Sequence, residues 1–197
     1  YVSHSFNQFA KIDNKDVYFV DHGDAYPRSI YLQRLTQYAD GTDREEQEDA
    51  YDYSSFWGTK YQAEGVSAFS FSGNIGDNYT NAQIGGFEIS DSSFLIVGTY
   101  KKSSSAPEQV FVNVTKKSGF EKYISGESKS NPSKQKYITS YKKSSGKSAS
   151  NPHLVKIKEN RFMLLWQEYT KNGLSNKISY CMLDGNGKKI SKVKTKK

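Results

Sequence analysis

The chain has 197 residues, 14% of them aromatic, with 15 Tyr, 11 Phe and a net charge of +7. Its one cysteine, Cys181, excludes an internal disulfide and any multi-cysteine metal site. No apolar run reaches the roughly 18 residues of a membrane-spanning helix, and the length suits one large domain or two small ones.

Tyr and Phe are abundant while Ala and Leu are sparse, a balance that favours strands. Residues 9–20 read as a strand, a polar four-residue turn and a nearly all-apolar second strand. Residues 29–32 follow as a third strand. Residues 40–60 form an acidic insertion, with an exposed helical turn predicted over 42–49. A more polar fourth strand over 66–71 closes the unit. The same order then recurs. Residues 86–97, 109–114 and 137–140 supply the four strands of a second unit, with Lys116-Lys117-Ser118-Gly119 as a turn. Residues 154–165, 177–183 and 190–193 supply a third, with a hairpin turn at Asp184-Gly185-Asn186-Gly187.

The three units align without gaps on Ile12, Ile89 and Ile157. Five positions later stand Val17, Phe94 and Phe162, and eight later Val20, Val97 and Leu165. Apolar runs of this length, bounded by turn residues, predict strands buried on both faces. Gly, Ser and Asn interrupt nearly every stretch, so no long amphipathic helix is expected. Gly85-Gly86 reads as a strand entry, and Cys181, inside an apolar run, as a buried structural thiol.

These units resemble the degenerate blades of bacterial extracellular β-propellers, and the Asp184-Gly185-Asn186-Gly187 hairpin is similar to their blade endings. The Trp-Asp and Asp-box signatures are absent. The resemblance implies an all-β domain over 1–197, made of four-stranded antiparallel blades at about 1–72, 84–141 and 151–194. It also implies a secreted or cell-surface protein. The unit spacings, 77 residues from Ile12 to Ile89 and 68 from Ile89 to Ile157, exceed the usual 40–50 or so because of the insertion and long Ser/Lys loops. Three blades do not close a ring, which usually takes about 4–8. The expectation is a half-propeller, completed to six blades by a homodimer or by the remaining blades of a longer chain. A β-sandwich or an open β-prism-like assembly is the alternative for the same strands.

In a propeller, the loops from strand 2 to strand 3 and from strand 4 to the next blade share one face. That face receives residues 3–5, 21–28, 74–80, 100–108, 151–153 and 167–169. The candidate ligand-binding residues are therefore His4, His22, Asp24, Tyr26, Arg28, Asp77, Tyr79, His153 and Glu168. Arg28 offers a planar fork for a carboxylate or phosphate, and Tyr26 a ring to stack on a sugar. The same loop reads equally as a capped turn stiffened by Pro27, with Asp24 satisfying backbone amides and Arg28 pairing with a neighbouring Asp. Imidazole and carboxylate suit Zn or Mn, but no local His-x-x-x-His spacing supports a metal site. The sequence carries no cofactor motif: no P-loop, no dinucleotide fingerprint and no nucleophile elbow.

The positive charge sits in Ser/Gly/Lys loops such as Lys101-Lys102, Lys142-Lys143 and Lys147 and in the last six residues. It reads as a solvated surface or an anion-binding patch, and no nucleic-acid signature accompanies it. Asn78-Tyr79-Thr80 and Asn113-Val114-Thr115 match the N-glycosylation tripeptide. The reading that follows is a non-enzymatic binding module for a glycan or protein partner. The alternatives are a hydrolase or lyase acting on polysaccharide or peptide through His22 and Asp24, and an architectural unit or anionic-polymer binder.

Overall fold

Polar turns between apolar strands fold the chain back on itself, so the basic unit is the antiparallel hairpin. The computed structural model describes residues 5–23, 29–37, 52–54, 60–71 and 82–197. The first sheet holds β1 (Ser5–Asp13), β2 (Asp16–Gly23), β3 (Ser29–Gln37), β4 (Asp52–Ser54) and β5 (Lys60–Ser70), in the order β1-β2-β3-β5-β4. The second is β6 (Ala82–Ile89), β7 (Ser93–Tyr100), β8 (Gln109–Lys116) and β9 (Ser133–Tyr137) in sequence order. The third is β10 (Ser148–Lys158), β11 (Arg161–Thr170), β12 (Gly173–Asp184) and β13 (Lys194–Lys196), also in sequence order. All pairs are antiparallel. Asn14 and Asn160, each at φ 56°, make the β1–β2 and β10–β11 turns. Asn is among the few residues that tolerate this left-handed conformation.

The repeat reappears in the register. Val20 pairs with Leu32, Val97 with Val112 and Leu165 with Tyr180, each at the same place in its unit. The sheets stack in chain order, with two apolar layers between them. Tyr18, Val20, Ile30, Leu32 and Val66 of the first sheet meet Ile84, Phe87, Phe94, Ile96 and Phe111 of the second. Leu95, Val97, Val110 and Val112 of the second meet Leu154, Phe162, Leu164, Trp166 and Cys181 of the third. Neighbouring residues of β7 thus point into different cores: Phe94 and Ile96 one way, Leu95 and Val97 the other. A strand sealed on both faces needs apolar residues at every position, which is why this run shows no alternation.

The first strands of the three sheets, β1, β6 and β10, lie side by side. Gly86 permits the β6–β10 approach: a Cβ there would stand 2.9 Å from the Leu154 nitrogen. At Gly85 it would overlap the Pro152 carbonyl. Polar latches tie the layers. The Ser90 hydroxyl donates to the Gly185 carbonyl (2.9 Å), and the Asp91 amide to the Asn160 side chain (3.1 Å). Arg34 joins Glu64 (2.8 Å) and Glu121 (2.9 Å), and the Asn113 amide donates to the Ala68 carbonyl (2.6 Å).

Three expectations need correction. Residues 116–119, read as a turn, lead into helix α1 (Lys117–Ile124). Its Phe120 is fully buried, with ring centroids 5.9 Å from Tyr18 and 5.6 Å from Phe94. The fourth strand of the second sheet precedes the predicted 137–140, and that of the third follows the predicted 190–193. In both places a hydroxyl stands in for the ladder: the Val110 amide donates to Thr139 Oγ1 and the Met182 amide to Ser191 Oγ, each at 2.9 Å. Residues 42–49 of the acidic insertion lie outside the described residues, while Asp52–Ser54 forms an edge strand. The all-β expectation holds, as do the second and third strands of every unit.

Candidate ligand-binding site

The β7–β8 loop, the segment after β9 and the end of β11 converge at one end of the second and third sheets. They line a shallow, open basin of about 300 Å³ with Lys101, Ser104, Ser105, Pro107, Lys143, Lys147, Ser148 and Tyr169. Each side has a local cause. In the β7–β8 loop the Ala106 amide donates to the Ser103 carbonyl (3.0 Å). The loop's end is pinned to β10, where the Glu108 amide donates to Ser148 Oγ (2.8 Å) and the Ala149 amide to the Glu108 carbonyl (2.9 Å). A single 3-10 turn, Lys143–Ser145, ends at Gly146 with φ 64°. Glycine meets that conformation without a Cβ clash.

Behind the basin runs a chain of polar side chains. Trp166 Nε1 donates to the Tyr141 hydroxyl, which donates to Glu168 Oε1, both at 3.0 Å. Lys147 Nζ lies 2.9 Å from Glu168 Oε2. Gln109 holds the Tyr141 backbone at both its amide (2.8 Å) and its carbonyl (2.9 Å). Burial pushes the Tyr141 phenol up to about 12, aided by the Glu168 charge and opposed by the Trp166 N–H. Burial also raises the Glu108 carboxyl, against the pull of Lys101. Both Glu168 oxygens are engaged, so this carboxylate orients Lys147 and Tyr141.

The basin thus offers three ammonium groups, that of Lys147 already paired with Glu168, three hydroxyls and Tyr169, which is 54% exposed. Ammonium groups attract anions, hydroxyls hydrogen-bond to polyols, and a tyrosyl ring stacks on a sugar face. A larger concavity of about 620 Å³ is lined by the single segment 188–193 and gathers no other strand or loop.

The predicted site residues scatter. Glu168 stands at the basin. His22, 1% exposed, lies in the layer between the first two sheets, its ring edge-on to Phe71 at 5.0 Å. His153 is exposed on the far face of the third sheet, opposite Leu165. The structure does not bring these two imidazoles together. His4, Asp24, Tyr26, Arg28, Asp77 and Tyr79 lie outside the described residues. Asp21 is buried on the outer face of β2, its carboxyl raised by burial. Among the described residues no three His, Cys, Asp or Glu side chains gather to hold a metal ion. Cys181 is buried, its thiol pushed up to about 11 by burial. Asn113 is 1% exposed in β8, so the folded chain does not offer it for glycosylation.

The sequence placed residues 100–108 and 167–169 on one face, and both contribute to the basin. Tyr141 and Ser148 were missed, because their roles depend on pairing across sheets that no local spacing encodes. Among the described residues no helix is long and apolar enough to cross a membrane. Comparison with protein-family models, curated proteins and solved structures finds no match.

Proposed function

We propose that this chain is a non-enzymatic binding module, built from consecutive β-propeller blades, that takes an anionic glycan at the cell surface or outside the cell. One observation carries the reading. Loops from two sheets deliver Lys101, Lys143 and Lys147 into a single hydroxyl-lined basin beside an exposed tyrosyl ring. The propeller arrangement is supported by three sheets of one register stacked in chain order with their first strands side by side. A hydrolase or lyase built on His22 and Asp24 has no support from the geometry of His22, which is 1% exposed.

Calorimetric titration with heparin, as an anionic polysaccharide, and dextran, as a neutral one, tests the proposal. Heparin should bind, with affinity falling as salt screens the lysines over a Debye length of about 8 Å at physiological strength. Replacing Lys143 and Lys147 by Ala should weaken binding about 10-fold, the equivalent of roughly 1.4 kcal/mol. Equal binding of dextran, or heparin affinity unchanged in the double variant, would overturn it.

A further inference from the structure

The stack has a direction. Each sheet has one face that meets the next sheet and one that meets the sheet before. The forward face of the second sheet carries Leu95, Val97, Val110, Val112 and Val114, all buried under the third sheet. The same register positions in the third sheet carry Met163, Leu165, Ile178, Tyr180 and Met182. This face has the apolar character of its covered counterpart, yet among the described residues no sheet lies over it. Ile178 is 43% exposed, as is Val155 at 45% beside Met163.

The opposite end offers the complementary surface. The backward faces of the second and third sheets carry Phe94 and Ile96, and Phe162 and Leu164, in their cores. The same positions in the first sheet are Val17 and Phe19, both half-buried, with Ile12 beside them at 73% exposure and the buried Asp21 farther along the same face. Charge agrees with this pairing. The described residues of the first unit carry four Lys or Arg and five Asp or Glu, a net −1; residues 142–197 carry fourteen and three, a net +11. The strong positive charge of the third unit opposes the pairing of one third sheet with another and leaves the nearly neutral first sheet as its partner.

We infer that a second copy of this chain covers the forward face of the third sheet with the backward face of its own first sheet. The contact is head-to-tail and repeats the packing already present twice within each chain. With two copies it occurs twice and closes the stack, leaving no apolar sheet end open. This inference stands apart from the basin and its ligand, since Phe19, Leu165 and Tyr180, the positions that test it, do not line the basin.

Light scattering on the full chain at micromolar concentration gives the first reading, with a mass near twice 22.3 kDa expected. Leu165→Lys and Phe19→Lys alter opposite ends and should each give a monomer, dissociation constants rising about 100-fold or more as a charge enters an apolar contact. Tyr180→Lys is a second variant of the third-sheet face, and far-UV circular dichroism reports that each variant remains folded. Mixing Leu165→Lys with Phe19→Lys should restore dimers, because one intact face of each kind is then present. A monomeric parent chain would overturn the inference. So would a Phe19→Lys protein that stays dimeric, since the third sheet would then be meeting another third sheet.

Discussion

β7 and β11 hold the same place in their units and carry similar apolar runs, yet their surroundings differ. Seven of the eight residues of β7 are buried, whereas β11 alternates, with Phe162, Leu164 and Trp166 buried and Met163 and Leu165 only half-buried. The difference lies in what covers each sheet. The second sheet has a neighbour on both sides, and the third has one among the described residues. The first strands show the same contrast. Gly86 stands opposite Val97 where β10 presses on the backbone, while His153 stands at the matching place opposite Leu165 with room for an imidazole. Residue choice in this repeat records what lies over each position, beyond what a strand alone requires.

Matched substitutions break that comparison most sharply. Val97→Asp places a carboxylate in a fully buried layer and should cost at least about 4 kcal/mol, enough to unfold a chain of ordinary stability. Leu165→Lys, its counterpart, should leave the chain within about 1 kcal/mol of the parent in urea unfolding at protein concentrations low enough that both are monomeric. Similar losses at the two positions would mean that the third sheet's outer face is a core surface of the single chain. A smaller effect is expected from Gly86→Ala. Its Cβ would meet Leu154 at 2.9 Å, so the β6–β10 contact must open, at about 1–3 kcal/mol by urea unfolding. A neutral result would show that the first strands can spread apart freely.

The smallest effect probes the seam between the second and third sheets by pH. Tyr141 titrates near 12 in the folded chain against an ordinary 10.0, and Cys181 near 11 against 9.0. In both, folding favours the protonated form. Their contributions are fully present below the unfolded values and are lost as pH rises, from 9 to 11 for the thiol and from 10 to 12 for the phenol. Urea unfolding followed from pH 8 upward should show this decline. Cys181→Ala should flatten its lower part and Tyr141→Phe its upper part; an unchanged profile in both variants would disconnect these groups from the seam.

The sequence made much of this architecture legible. Apolar runs ending in Asn14-Lys15 or Asp184-Gly185-Asn186-Gly187 mark hairpins by local chemistry, so second and third strands could be placed from spacing alone. Helix α1 could not, because Gly119 interrupts it and its burial rests on Phe120 finding Tyr18 and Phe94. The late fourth strands were hidden for a related reason: Thr139 and Ser191 replace ladder bonds with hydroxyls, and nothing in their neighbours announces it. For the site, strand phase sent residues 100–108 and 167–169 to one face, and residues from both segments line the basin. It did not resolve depth within that end, and so it grouped the buried His22 with the exposed His153.

The bond from Ser90 to Gly185 spans 95 residues, whereas nearly every strand pairs with a strand next to it in sequence. Each sheet can therefore assemble from a short stretch of chain with little loop-closure cost, and the long-range latch can wait until the last turn arrives. On a ribosome that order runs in the direction of synthesis: the second unit can fold with its Ser90 hydroxyl already accepting from the Ser93 amide, and the third unit then supplies the carbonyl of Gly185 for that hydroxyl to donate to.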